Sequence, residues 1–249
     1  MNHSFKNPLL PGVTLVCGSV GLLLQMWLYS TRNSLGFIQR GHISQMLLFL
    51  LTGAFLLALF LVTRTMQQAS KYEFNFPASP LSAIGSMLAG LGIGMACGME
   101  LVAVGDDRLG LVTAVAGLLA AIGLLWSAKC RWEGSVASVL CHGSICIWMI
   151  LRLLSLYRPW SAEPQLESYF FQLMAMTFAM SAAYHRAAFS QGLGSRAKYS
   201  FFALAGLYCC CLCLAEPESM LPYLSLGLWL VTDLCDLTPM PGKKRSKKV

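Results

Sequence analysis

The chain has 249 residues, of which 56% are hydrophobic and only 12% charged, and its mean hydropathy is +0.62. Soluble globular domains carry about 25% charged residues, so this balance excludes an ordinary water-soluble fold and predicts an all-α integral membrane protein. The net charge of +7 does not point to nucleic acid, because five of the eighteen Lys and Arg residues crowd into the last seven positions without interleaved aromatics.

A helix needs about twenty mainly apolar residues to cross the hydrocarbon of a bilayer. Eight runs meet that length, at about 9–29, 43–63, 80–101, 109–128, 135–157, 167–188, 199–215 and 220–238. They predict a transmembrane bundle over 1–238, followed by a basic tail at 239–249 that would lie against anionic lipid headgroups. With both termini cytoplasmic, thirteen basic residues fall on inner segments, including Arg64, Lys129, Arg131, Arg186, Arg196, Lys198 and the tail. Five fall outside, at Arg32, Arg40, Arg108, Arg152 and Arg158, in keeping with the positive-inside rule.

The first run follows Lys6 and lacks the small-x-small cleavage pattern of a signal peptide, so it reads as an uncleaved span. The second ends on Arg64, fifteen residues after Phe49, and the sixth ends on Arg186, fifteen residues after Phe171. Lys71-Tyr72-Glu73-Phe74 is answered by Lys198-Tyr199-Ser200-Phe201. These echoes suggest a tandem duplication, 1–128 and 129–238, with the halves in parallel orientation. The competing reading is that Arg and Tyr are generic anchors at span ends.

In the third run Ser82, Ser86, Gly90, Gly94 and Gly98 recur every four residues. That spacing predicts one small-residue helix-packing face, a glycine zipper, and the fourth run offers Thr113, Gly117 and Ala121 in the same way. The fifth run places Ser135, Ser138, His142 and Cys146 on one stripe, with His142 roughly 10 Å from the inner boundary. Ionisable residues at such depth face the bundle interior or a wet cavity. Ser138, His142 and Cys146, together with Asp233 of the last run, are therefore the candidate substrate-binding residues. The bland alternative is a neutral imidazole bonded to a neighbouring helix.

Arg186, Arg196 and Lys198 flank the inner loop that carries Gly192 and Gly194, and they are candidates for contact with lipid phosphate or another anion. Cys209, Cys210, Cys211 and Cys213 follow in the seventh run. A two-thiolate Cu(I) site is geometrically conceivable there, but the surrounding Leu, Ala and Tyr favour cysteine as a small packing residue, and no metal or cofactor is expected.

No HExxH, GxSxG or Walker motif occurs, and the longest loops run to about seventeen residues, so the reading leans away from an enzyme, any chemistry lies within the bundle or at its inner face, and an intramembrane enzyme without a familiar motif is the third reading. The sequence reads first as a small-molecule or ion permease of a bacterial cytoplasmic membrane. The second reading is an accessory or sensor subunit that binds a partner membrane protein, or a second copy, through the small-residue face or the basic inner loops.

Overall fold

The computed structural model describes residues 9–31, 42–66, 70–103, 105, 107–160, 169–216 and 220–237. Among these the chain is all-helical, with α1 (Leu9–Ser30), α2 (Ile43–Arg64), α3 (Tyr72–Asn75), α4 (Pro80–Ala103), α5 (Arg108–Glu133), α6 (Val139–Trp160), α7 (Phe170–Ser190), α8 (Arg196–Cys213) and α9 (Met220–Cys235). Lys6, Arg32, Arg40 and the basic tail 239–249 lie outside the described residues.

The helix ends have local causes. Pro80 opens α4, where its missing N–H would have had no intrahelical partner. Asp107 caps α5 by accepting from the Leu109 amide at 3.3 Å. Gly134, in the left-handed region at φ 75°, closes α5 and returns its N–H to the Cys130 carbonyl. This turn moves the α5–α6 boundary from where periodicity places it. Helix α5 runs to Glu133, across the 128/129 division of the suggested halves, and α6 begins only at Val139. Ser135 and Ser138 therefore lie in the connecting loop and not on the helix, so the four-residue stripe from Ser135 to Cys146 is broken.

Helices α4, α5, α6, α7, α8 and α9 each pack against the next, and α9 closes on α4, giving a ring of six. Outside the ring α1 packs on α8 and α2, and α2 packs on α1 and α8. Residues from the two ends of successive helices meet in alternation: the starts of α4, α6 and α8 gather with the ends of α5, α7 and α9. Among the described residues five helices are long and apolar enough to cross a membrane, namely α1, α2, α4, α5 and the Val139–Arg158 stretch of α6. Helices α7 to α9 are shorter or less apolar. Their position explains this, since α8 is touched by α1, α2, α7 and α9 and needs little lipid-facing surface.

Close packing depends on small residues at specific crossings. A Cβ on Gly18 of α1 would lie 2.9 Å from Cys211 Cβ, and one on Gly117 of α5 would meet Cys97 Sγ and the Trp148 indole. The small residues of α4 do not form a single face. A four-residue step turns a helix by about 40° beyond a full revolution, so the direction swings by about 160° between Ser82 and Gly98. Accordingly Ser82 reaches α9, Gly90 and Gly94 meet Ala121 of α5, and a side chain at Gly98 would meet nothing within 4 Å. The α4 face that approaches α9 is the seven-residue pair Gly85 and Gly92, against Thr232 and Ser225.

Candidate functional site

The ring is filled at one end by charge. Arg131 of α5, Arg186 of α7, Asp233 of α9 and Asp236 just past its end are each at most 1% exposed. Their positions follow from helical phase. On α5 the buried face runs Gly117, Ala121, Leu124, Ala128 and Arg131, and on α7 it runs Ala175, Ala179, Ala182 and Arg186. An arginine that continues a small-residue face points where that face points, into the neighbours.

Arg186 Nη1 lies 2.7 Å from Asp233 Oδ2, off the line an N–H would take, so the contact is an ion pair more than a directed hydrogen bond. Asp233 also accepts from the Ser82 hydroxyl and, at 3.3 Å, from the Tyr199 hydroxyl. Arg131 donates from Nε to Ser82 Oγ at 3.1 Å and from Nη1 to the Pro77 carbonyl at 2.5 Å, and its Nη2 lies 3.8 Å from Asp236. The Ser82 amide donates to Asp236 at 3.0 Å. Phe76, just past α3, sits beneath both guanidiniums, at 3.7 Å from Arg186 and 5.6 Å from Arg131. A cation over a desolvated ring gains about 2 kcal/mol. Two positive and two negative charges thus cancel where solvent does not reach, which is the condition under which buried ions persist.

His142 belongs to the same end. It is fully buried in the first turn of α6, stacked on Trp229 of α9 with centroids 6.3 Å apart, and neither ring nitrogen has a hydrogen-bond partner among the described residues. Helices α6 and α9 are not neighbours in the ring, so this contact crosses its interior. Trp229 Nε1, Ser86 Oγ and Ser127 Oγ are also buried without such partners. Groups of this kind are normally satisfied by water or by a ligand.

The candidate residues thus separate. His142 and Asp233 lie inside the ring at one end. Ser138 is exposed in the loop, where its hydroxyl accepts from the Leu140 amide at 3.4 Å, and Cys146 is half-buried with its thiol 3.6 Å from the Met180 carbonyl. Arg186, expected at the inner surface among anion contacts, is fully buried and paired with Asp233, while Arg196 is half-buried and Lys198 exposed. Arg131 counts as a loop charge by sequence position, although its phase with Gly117 and Ala121 marks it as interior.

The opposite end holds a second, open site. Arg152 of α6 donates from Nη1 to both carboxylate oxygens of Glu100 of α4, at 2.6 and 2.9 Å, beside Trp148. A cleft of about 260 Å³, lined also by Asp107, Thr113 and Ser155, opens onto this pair. By position alone Arg152 is one more outer loop charge. Nearby, Glu216 accepts from Tyr29 and Gln172.

The cysteines of α8 are in the wall of the bundle. Cys209, Cys210 and Cys213 are at most 4% exposed, Cys211 packs on Gly18, and no disulfide joins the cysteines among the described residues. Among the same residues no three of His, Cys, Asp and Glu converge as metal ligands. Compared with family models, curated proteins and solved structures, the chain matches none of them.

Proposed function

We propose that this chain is a polytopic permease for a small molecule or ion, working by rearrangement around the buried charge cluster. The observation that carries the reading is His142, buried without a hydrogen-bond partner inside a helix ring whose same end encloses Arg131, Arg186, Asp233 and Asp236. Buried ionisable groups among apolar helices cost stability and mark ion or substrate paths in membrane proteins. The His142–Trp229 contact crosses the interior of the ring, and on this reading it belongs to the conformation closed to passage. The Glu100–Arg152 cleft at the other end would be the mouth facing the second compartment. On this reading all eight long helices span the membrane, α7 to α9 as enclosed spans, in a bacterial cytoplasmic membrane with both termini inside.

The reading as an accessory subunit has less support, because most of the small residues it relies on are occupied within the chain. Only Gly98 leaves open space on α4 among those five. The tandem relation of the halves draws support from Tyr72 and Tyr199, the matching tyrosines of the echo, whose rings both lie next to Phe76, at 5.4 and 5.3 Å. Their arginines diverge, Arg64 being exposed and Arg186 buried.

Flux into proteoliposomes tests the function. Purified protein would be reconstituted and assayed for proton, sodium and chloride flux and for uptake of labelled amino acids and sugars, beside His142→Ala and Asp233→Asn. A flux present in the wild type and lost in His142→Ala supports the permease. Equal flux in protein-free vesicles and wild type across the panel overturns it.

A further inference from the structure

A third location, outside the ring, carries an inference of its own. Between α1, α8 and α9, at the same end as the charge cluster, lies a cavity of about 100 Å³. That is the room of about three waters. Arg196, Ser200 and Leu204, one helical turn apart on α8, form one wall, and Leu10, Leu234 and Leu237 contribute to the others. Ser200 is 2% exposed, and its hydroxyl has no partner among the described residues, not even the carbonyl one turn back that Thr14, Thr52 and Thr63 use in this chain. Helix α8 also begins without a side-chain cap, and the Tyr199 amide is the first to find a helical carbonyl, that of Ser195. The amides of Arg196, Ala197 and Lys198 therefore offer donors at the positive end of an eighteen-residue helix.

The order of chemistry down this wall matches one class of molecule. Reading along α8 from its end inward there are free amides and a guanidinium, then a lone buried hydroxyl about 6 Å deeper, then Leu204 about 6 Å deeper again, while Leu10, Leu234 and Leu237 close the sides of the cavity near the helix ends. A phospholipid presents a phosphate, then glycerol ester oxygens, then an acyl chain, in that sequence. We propose that this cavity receives the phosphate end of an anionic phospholipid whose acyl chains stay outside it, with the phosphate on Arg196 and the α8 amino terminus. Ser200 donates to a phosphate or ester oxygen, and Leu10, Leu234 and Leu237 line the apolar side on which the glycerol and acyl chains leave the cavity. A free phosphate would satisfy the upper groups, but the leucine walls favour the lipid. The site rests on the reading of the bundle as membrane-embedded with this end at a leaflet surface, and it is independent of any transport.

The test is thermal unfolding of the full chain in detergent, titrated with phosphatidylglycerol, with dioleoylglycerol and inorganic phosphate as separate arms. Saturable stabilisation by phosphatidylglycerol is expected. Its apparent affinity should weaken by roughly tenfold or more in Arg196→Gln, as loss of a charge-assisted bond implies, and by a few-fold in Ser200→Ala. Lys129→Gln, which removes an exposed charge elsewhere at this end, should leave it unchanged. Equal stabilisation by dioleoylglycerol or by inorganic phosphate overturns the lipid assignment, as does an undiminished response in both α8 variants. Should Arg196→Gln fail to fold, Ser200→Ala decides, and phospholipid retained in native mass spectra by the wild type and lost from Ser200→Ala leads to the same conclusion. Release of the chain from membranes by alkaline carbonate would sink the membrane reading itself, whereas retention with no response to phosphatidylglycerol sinks only this site.

Discussion

The two ends of the helix ring use the same pairing of arginine with carboxylate in opposite surroundings. At the closed end Arg186 and Asp233 are both fully buried, and Arg131, Asp236, Ser82, Tyr199 and Phe76 surround them. At the open end Arg152 is 8% exposed but Glu100 is 37% exposed and faces a cleft. The shorter contact is the open one, at 2.6 Å against 2.7 Å, so distance does not separate the two. Solvent does. Water in the cleft screens Glu100–Arg152 and would solvate either partner if the other were lost, whereas nothing replaces a partner at the closed end.

The strongest way to test this contrast is Asp233→Ala. It strands Arg186 without a counter-charge, and breaking a buried pair from one side costs about 3–5 kcal/mol, so thermal unfolding in detergent should show a large loss of stability or no folded protein. If the variant melts like the wild type, the closed end is not sealed. Next comes Gly123→Ala at the α5–α6 crossing, where the new Cβ would sit 2.7 Å from the Cys141 carbonyl. Forcing that backbone apart should cost about 1–3 kcal/mol, while Gly98→Ala, which meets nothing within 4 Å, should lie within about 0.5 kcal/mol of the wild type. Glu100→Gln should cost less than about 1 kcal/mol in the same melts, because the exposed carboxylate is already screened. An effect as large as that of Asp233→Ala would erase the distinction between the ends. The smallest change is expected from the cysteines of α8. In folded protein Cys209, Cys210 and Cys213 should resist a maleimide that labels them after denaturation, and labelling at native rates would contradict their burial.

Much of this arrangement is legible in hydropathy and spacing, but not the pairing. The runs of apolar residues locate the long helices to within a few positions, except where Gly134 and the loop to Val139 reset the start of α6. His142 and Asp233 stand out as polar residues within apolar runs, and both lie at the closed end. Arg186 and Arg152 do not stand out, because an arginine near a span end looks the same in sequence whether it meets a headgroup or an aspartate, and Arg131 is separated from them only by its phase with Gly117 and Ala121. The short α3, with Phe76 beneath two guanidiniums, carries no apolar period and is invisible for that reason. The zipper on α4 misleads through geometry, since a four-residue repeat drifts around a helix and one of seven hardly does.

The placement of α8 has a consequence for how the protein is made. Helix α1 ends at Ser30 and packs chiefly on α8, which starts at Arg196, some 166 residues later. At roughly 5–20 residues per second, translation leaves α1 and α2 waiting about ten to thirty seconds for that surface. Arg131 and Arg186 wait likewise for Asp236 and Asp233. Until α9 emerges they are cations without counter-ions, and a ribosome stalled before residue 220 would hold an open, charge-unbalanced intermediate. Completion of the buried charge balance therefore waits on the sixteen residues of α9 and the aspartate just after it.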